Sequence, residues 1–267
     1  MIFRENATVT SNTRIAEGIF LTQFHAPQIA RAANPGQFVN VQPRTQASLL
    51  NRPMAIYDAD PDSGSVAIGY HVIGANTRAY AKLAKGETIT LIGPLGSRSD
   101  FDLSYDHYVL VGGGIGITSL HLIGKYLASQ GKAVTTLIGA RTRDLIACES
   151  DFRKLGKVKA ATDDGSEGYK GYVNALLDQT IKKLAGEKAQ AIYCGPHAMM
   201  QACAETCRAH GVAHCAVMEE MMACGVGICV ACVCQTSEGQ KKVCLDGPVF
   251  DGAKIQWTRE QTSGMHE

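Results

Sequence analysis

Apolar and polar positions alternate in short runs over the first hundred residues. Such runs cover residues 37–41, 65–72 and 87–92, and glycine, proline and asparagine separate them. An alternation of period two is typical of β-strands with one buried face. Several short strands joined by turns of this kind indicate a closed antiparallel barrel. We therefore expect an antiparallel β-barrel domain over residues 1–100.

The pattern changes near Tyr105. Residues 108–111 form a continuous apolar run, glycines follow at once, and Leu120, Ile123 and Leu127 then recur at helical spacing. Apolar runs and helical patterns continue to alternate over residues 133–138, 158–161, 172–184, 191–194 and 196–210. Strands that alternate with helices predict a doubly wound parallel sheet of α/β type. We assign this second domain to residues 101–216.

The charge balance and the first ten residues indicate which classes of protein are improbable. Lysine and arginine number 26 against 25 acidic residues, a balance that gives no basic field for nucleic acid. No apolar run approaches the ~18–20 residues that span a bilayer. The first ten residues lack the basic start and apolar centre of a secretory signal. We expect a cytoplasmic protein with no nucleic-acid partner and no membrane.

Cysteines dominate the remaining segment, residues 217–267. Five of the ten cysteines lie between Cys224 and Cys244, a clustering that indicates metal rather than disulfides in a chain without an export signal. Cys224, Cys229 and Cys232 have the C-x4-C-x2-C spacing of plant-type [2Fe–2S] ferredoxins. By spacing alone, either Cys234 or Cys244 can supply the fourth thiolate. We predict a small lobe that holds an iron–sulfur cluster and moves electrons.

Zinc is the competing interpretation of these cysteines. A zinc site more often presents two C-x2-C pairs than one such loop with a distant fourth ligand. Under that interpretation the chain is a zinc-stabilised binding module without electron transfer.

A glycine-rich turn predicts a nucleotide site in the second domain. Gly112, Gly113, Gly114 and Gly116 stand between an apolar strand and a helix. Glycines in this setting let a pyrophosphate approach backbone N–H groups at the start of a helix.

Three segments together carry a resemblance to a known family. They are the cysteine segment 218–234, the segment Val-Cys-Leu-Asp-Gly-Pro-Val-Phe at 243–250, and the glycine turn after Val111. Over almost the whole chain they resemble the electron-transfer subunits of type B dihydroorotate dehydrogenase, in the ferredoxin–NADP reductase superfamily. The resemblance implies a flavin-binding barrel, a nicotinamide-nucleotide domain and a C-terminal [2Fe–2S] lobe. It also implies Cys244 as the fourth cluster ligand.

The same resemblance implies cofactors and a partner. The cofactors are FAD, a [2Fe–2S] cluster and NAD, and the partner is an FMN-containing catalytic subunit in a heterotetramer of two plus two chains. Electrons from dihydroorotate would pass from the partner's FMN through the cluster and FAD to NAD+. A related iron–sulfur flavoprotein subunit that reduces or oxidises NAD(P)H for ferredoxin, sulfide or sulfite remains the alternative enzyme.

Nine flavin contacts follow from the resemblance, and some depart from the usual residues. They are Arg52, Pro53, Met54, Ala55, Tyr70, His71, Val72, Asn76 and Thr77. Arg52 would bind the pyrophosphate, since a guanidinium offers two parallel donors. Ala55 stands where a hydroxyl residue is usual, and His71 replaces an arginine with a group that titrates near neutrality. Asn76 and Thr77 stand where Gly-Thr is usual.

The resemblance also assigns a strand end to the nicotinamide. Cys194, Gly195 and Pro196 end the last apolar run before a helix. Ligand crevices in doubly wound sheets lie at such strand ends, which supports the assignment.

Overall fold

The computed structural model describes residues 1–45 and 48–257, and its first part is a closed antiparallel barrel. The strands follow the barrel order β1-β2-β5-β4-β3-β6, and two short helices accompany them. These elements are β1 (Phe3–Ala16), β2 (Ile19–His25), α1 (Pro27–Ala32), β3 (Phe38–Val41), β4 (Arg52–Asp60), β5 (Ser65–His71), α2 (Ala75–Tyr80) and β6 (Thr88–Leu95). The barrel predicted from the period-two alternation is confirmed.

The second part is the predicted doubly wound sheet, in which the strands are parallel. Its elements are β7 (His107–Gly113), α3 (His121–Ser129), β8 (Ala133–Ala140), α4 (Glu149–Arg153), β9 (Lys157–Thr162), β10 (Tyr169–Lys170), α5 (Val173–Lys183), β11 (Ala189–Cys194), α6 (His197–Ala209) and β12 (Ala213–Val217). A 3₁₀ helix, Gly114–Leu120, precedes α3, so the chain turns more tightly after the glycines than an α-helix would.

The last described part contains four elements: β13 (Val233–Thr236), β14 (Gly239–Lys242), α7 (Val243–Asp246) and β15 (Val249–Asp251). β13 and β14 form a hairpin, while β15 pairs antiparallel with β12 and completes the order β10-β9-β8-β7-β11-β12-β15. The described part of the third segment, residues 217–257, is thus built onto the nucleotide sheet, and the domain borders at 100 and 216 stay predictions. Of the tail at 253–267, residues 258–267 lie outside the described residues.

Strand alternation sorts the side chains of the barrel into two sets. On β4, Met54 and Ile56 lie in the barrel core, so Pro53, Ala55 and Tyr57 face outward. Tyr57 meets the nucleotide domain: its ring stacks on His121 with 4.2 Å between centroids, and its hydroxyl donates to Asp151 Oδ2 at 2.7 Å. The outer face of β4 therefore turns toward the nucleotide domain.

The neighbouring strand β3 faces the cysteine lobe. Phe38 on its outer face belongs to the same apolar core as Cys232, Val243 and Cys244. This core also contains Tyr193 of β11, so the lobe packs against both larger domains.

Among the residues that the structure describes, no helix is both long and apolar enough to cross a bilayer.

Candidate functional site

Residues 224–232, which we call the thiol loop, direct backbone N–H groups at the sulfur atoms of predicted ligands. Val226 N and Cys229 N each lie 3.4 Å from Cys224 Sγ, and Gly227 N lies 3.2 Å from Cys244 Sγ. Cys244 N lies 3.4 Å from the Sγ of Cys232. N–H groups in this arrangement stabilise thiolates and the sulfurs of an iron–sulfur cluster.

The four thiols lie as two pairs. Cys224 is within hydrogen-bonding reach of Cys229, and Cys244 is within reach of Cys232. Within residues 1–45 and 48–257, no three histidine, cysteine or acidic side chains converge on one point. Two pairs fit a binuclear cluster, because each iron takes two thiolates.

The electrostatics of the loop favour ionised sulfur at Cys224. Burial opposes ionisation there, but the backbone donors of Cys229 and Val226 outweigh it and lower the pKa of the Cys224 thiol to about 6. Burial and the neighbouring Cys232 raise the pKa of Cys244 to about 12. A bound metal ion would deprotonate Cys244 outright.

Cys234, the alternative fourth ligand, lies on β13 and is fully buried. Burial and then the charge of Glu220 raise the pKa of its thiol to about 11. Cys234 stands across from Lys241 in the β13–β14 hairpin. The Sγ of Cys244, in contrast, accepts a hydrogen bond from the N–H of Gly227 in the loop itself. The geometry favours Cys244 over Cys234 as the fourth ligand.

Two features of the loop carried no signal in the sequence. Lys242 Nζ donates to Gly227 O at 2.9 Å, which ties the loop to the hairpin beneath it. Val230, between two of the predicted ligands, has a φ of +59°, which is strained for a β-branched residue. Backbone strain of this kind is found at functional sites, where the surrounding structure enforces it.

The glycine turn packs tightly against the end of β11. A Cβ on Gly116 would lie 2.6 Å from Cys194 O and 2.7 Å from Gly195 Cα. A Cβ on Gly113 would lie 2.2 Å from Met199 Sδ, whereas one on Gly114 would meet nothing within 4 Å. The ends of β7 and β11 thus lie against each other, and the space above Gly114 is open. Gly112, near the end of β7, also has no room for a side chain, because a Cβ there would collide with Ile117. This cradle fits a pyrophosphate held by backbone N–H groups.

An acidic residue that the sequence analysis missed lies beside the predicted nicotinamide segment. Glu219 Oε1 accepts a hydrogen bond from Ser119 Oγ at 2.9 Å and a longer one from Cys194 Sγ at 3.6 Å. Burial and the charge of Glu219 raise the pKa of the Cys194 thiol well above its ordinary value. Pro196 is exposed at the same strand end. No local pattern identifies Glu219, because its partners are about 25 and 100 residues away in the chain.

The expected pyrophosphate end of the flavin site gathers two arginines at one end of the barrel. Arg52 donates to Leu50 O at 3.0 Å and to Ser48 Oγ at 2.9 Å. Burial raises the pKa of Tyr80 to about 12, and the charges of Arg52 and Arg44 oppose that rise, so both guanidinium groups lie near this ring.

The first turn of α2 uses its side chains internally. Thr77 Oγ1 accepts from the N–H groups of Ile73 and Gly74, each at 3.0 Å. Asn76 Oδ1 accepts from Arg44 N at 3.2 Å. The backbone N–H groups at the start of α2 are the donors left for a phosphate.

The expected ring end of the flavin site divides by strand alternation. Tyr70 points into the barrel, where its hydroxyl accepts from Thr22 Oγ1 at 3.2 Å, and Met54 is likewise a core residue. Ala55 and His71 face outward, and a Cβ on Gly18 would lie 3.0 Å from His71 Nε2. Val72 packs at the margin of the barrel core. Ala55 and His71 are therefore the expected contacts that turn toward the nucleotide domain.

A barrel, a doubly wound sheet with a glycine cradle, and a loop of paired thiols together define an oxidoreductase of the ferredoxin reductase type. The family model described as the iron–sulfur cluster binding domain of dihydroorotate dehydrogenase B matches residues 219–256. The model described as the oxidoreductase NAD-binding domain matches residues 110–205.

Two relatives resemble the chain over nearly its full length. The dihydroorotate dehydrogenase B (NAD(+)) electron transfer subunit of Geobacillus thermodenitrificans is 35% identical over 262 residues, which cover 96% of this chain and 99% of that protein. The homolog of this subunit from Thermotoga maritima is 33% identical over 250 residues, covering 93% and 87%. The chain belongs to the family of dihydroorotate dehydrogenase B (NAD(+)) electron transfer subunits.

Solved structures agree with this fold. A chain of an NADH-dependent reduced ferredoxin–NADP oxidoreductase, studied for flavin-based electron bifurcation, superimposes with a TM-score of 0.84 and 31% identity, covering 96% of this chain and 94% of that one. The ferredoxin reductase of carbazole 1,9a-dioxygenase gives a TM-score of 0.66 at 18% identity, covering 79% and 67%, and supports the fold alone.

Serine substitutions test the cluster ligands. We expect Cys224→Ser, Cys229→Ser, Cys232→Ser and Cys244→Ser each to lose most of the bound iron, because each thiolate is a terminal ligand of one iron and a serine hydroxyl is a poor replacement for it. Cys234→Ser is the matched control and should keep two irons and two sulfides per chain. The measurement is iron and acid-labile sulfide content with the visible spectrum. Iron loss in Cys234→Ser with retention in Cys244→Ser would reverse the assignment of the fourth ligand.

A single methyl group tests the nucleotide cradle. Gly116→Ala places a Cβ against the backbone of Cys194 and Gly195, which cannot move without displacing the strand end. We expect NADH to bleach the flavin about a hundredfold more slowly, as for a misplaced reactant. Stopped-flow absorbance measures the rate. Gly211→Ala is the control for backbone strain alone, because its Cβ would meet nothing within 4 Å although its φ of +65° disfavours alanine. An unchanged rate in Gly116→Ala would show that the nucleotide binds elsewhere.

Proposed function

We propose that the chain is the electron-transfer subunit of an NAD+-dependent dihydroorotate dehydrogenase of pyrimidine biosynthesis. Its cofactors are FAD, a [2Fe–2S] cluster and NAD. The observation that carries the proposal is the loop of paired thiols, which reaches the protein surface at Cys229 while its base packs on the barrel. Electrons from a partner protein enter at such a surface edge and leave through the interior of the chain.

The residues of this chain bind and orient the cofactors. When bound, the flavin exchanges a hydride with nicotinamide and single electrons with the cluster. Arg52 and the start of α2 would hold the flavin pyrophosphate, and the outer face of β4 at Ala55 would receive the ring. The glycine cradle at Gly112–Gly116 would hold the nicotinamide nucleotide at the end of β11, where Pro196 is exposed and the side chain of Cys194 is buried. The proposal assigns acid or base catalysis on dihydroorotate to the partner.

The surface around the thiol loop supports docking of a partner. Large apolar side chains are exposed there, with Ile228 80%, Met221 68%, Leu245 53% and Val230 52% accessible. Clustered exposed apolar residues of this kind mark protein–protein contact sites. We assign this surface, which we call the loop rim, to the FMN-containing catalytic subunit. We further propose an assembly of two copies of each subunit and a cytoplasmic location.

A second function is favoured by one specific similarity. The NADH-dependent reduced ferredoxin–NADP oxidoreductase chain is 31% identical and covers 96% of this chain. Under this alternative, the loop rim would dock a different flavoprotein and the cluster would serve ferredoxin-linked chemistry. The identity of the protein that copurifies with the chain distinguishes the two functions.

Reconstitution tests the proposed function directly. The chain is coexpressed with the dihydroorotate dehydrogenase catalytic subunit of the same source, and the complex is purified without oxygen. We expect dihydroorotate to reduce NAD+, measured at 340 nm, and neither subunit alone to do so. The stoichiometry follows from the mass of the complex. A stable complex with an NADPH-linked flavoprotein, and none with the catalytic subunit, would favour the alternative.

A charge on the loop rim should prevent assembly. Ile228→Glu buries a carboxylate in the proposed interface, and we expect the affinity for the catalytic subunit to fall about tenfold or more. Sedimentation or mass photometry measures the complex. Tyr172→Glu is the control, because Tyr172 is 71% exposed and lies before α5 of the nucleotide domain, outside the loop rim. Bleaching of the flavin by NADH should be normal in both variants. Equal loss of the complex in both variants would exclude the loop rim as the docking site.

A further inference from the structure

Asn40 is a polar residue inside an otherwise apolar strand. It lies in the sequence Phe-Val-Asn-Val of β3, and it is only 2% exposed. Val39 and Val41 point into the barrel core, so Asn40 shares the outer face of β3 with Phe38. This is the face on which the cysteine lobe packs.

The side chain of Asn40 makes one specific contact with the thiol loop. Asn40 Nδ2 donates to the backbone carbonyl of Cys224 at 3.1 Å. The following residue, Gly225, has a φ of +70°, and a Cβ there would lie 2.5 Å from Asn40 Nδ2. Only glycine at this position lets the amide reach the carbonyl. A buried amide without a partner is costly, so the contact fixes where the loop sits.

The opposite neighbour of Asn40 is the predicted flavin segment. In the antiparallel pair β3–β4, Asn40 stands across from Pro53, and Phe38 stands across from Ala55. The strand that holds the loop is therefore directly bonded to the strand expected to contact the flavin. The side-chain hydrogen bond of Asn40 thus connects the predicted cluster ligand Cys224 directly to this strand pair.

We propose that Asn40 is a positioning residue for electron transfer between the [2Fe–2S] cluster and the flavin. It sets the distance between the two centres by holding Cys224 against β3. Each transfer moves one electron from one centre to the other and neither forms nor breaks a bond; NADH supplies the electrons in the reverse direction. Electron tunnelling slows steeply with distance, so a small displacement of the loop changes the rate. The inference rests on the proposed function for the identity of both centres.

The test uses the isolated full chain, loaded with FAD and cluster, and NADH as the reductant. Asn40→Leu removes the donor at similar volume, and Asn40→Ala removes it without adding bulk. Gln37→Leu is the matched control, because Gln37 is 7% exposed and its Nε2 donates to Gly96 O at 2.8 Å, away from Cys224. Stopped-flow absorbance follows flavin reduction, and freeze-quench EPR follows cluster reduction. Iron content and the rate of iron loss to a chelator are measured in parallel.

In both Asn40 variants we expect flavin reduction by NADH at the wild-type rate and cluster reduction slowed about tenfold or more, the range in which outer contacts of metal ligands act. Iron should leave faster to the chelator, and Gln37→Leu should match wild type. Wild-type cluster kinetics in both variants would overturn the proposal. Failure of both variants to bind iron would overturn it too, since Asn40 would then serve cluster assembly. A wild-type protein whose flavin NADH does not reduce would instead refute the proposed function.

Discussion

Three neighbouring strands of the barrel present their outer faces to the rest of the molecule. β3 faces the cysteine lobe through Phe38, β4 presents Pro53 and Ala55, and β5 approaches the nucleotide domain so closely that a Cβ on Gly69 would lie 2.6 Å from Thr118 Cγ2. Side chains alternate with a period of two, so a slip of one residue would exchange inner and outer faces of a strand. The register of these strands therefore decides which side chains face the cysteine lobe, the expected flavin site and the nucleotide domain.

The cysteine lobe depends on both larger domains for its stability. A lobe of this length buries little apolar surface by itself. Val243, Cys232 and Cys244 complete a core that includes Phe38 of the barrel and Tyr193 of the nucleotide sheet, and β15 extends that sheet past β12. Because the lobe is held on two sides, the thiol loop is oriented by rigid elements even though its own backbone is irregular.

Local elements of the fold could be predicted from the sequence, whereas contacts between residues far apart in the chain could not. Period-two alternation was enough for the barrel, and the helical patterns at 172–184 and 196–210 agree with Val173–Lys183 and His197–Ala209. The glycines of the cradle could be recognised in the sequence, because close approach of two backbone segments excludes any side chain. Glu219 and β15 left no such mark, since a carboxylate or a three-residue strand is unremarkable until distant partners surround it. The asparagine in Phe-Val-Asn-Val was a visible irregularity, but its meaning depends on a carbonyl 184 residues away.

The two faces of the thiol loop serve different neighbours. The N–H groups of the loop point toward sulfur atoms. Its carbonyl groups accept hydrogen bonds from Asn40 on the barrel side and from Lys242 of the hairpin. Its apolar side chains, Ile228 above all, are left in solvent. These polar contacts of the loop are made within the chain, while its large apolar side chains point outward. Under the proposed function, an electron would enter the cluster across this apolar side and leave toward the strand pair β3–β4.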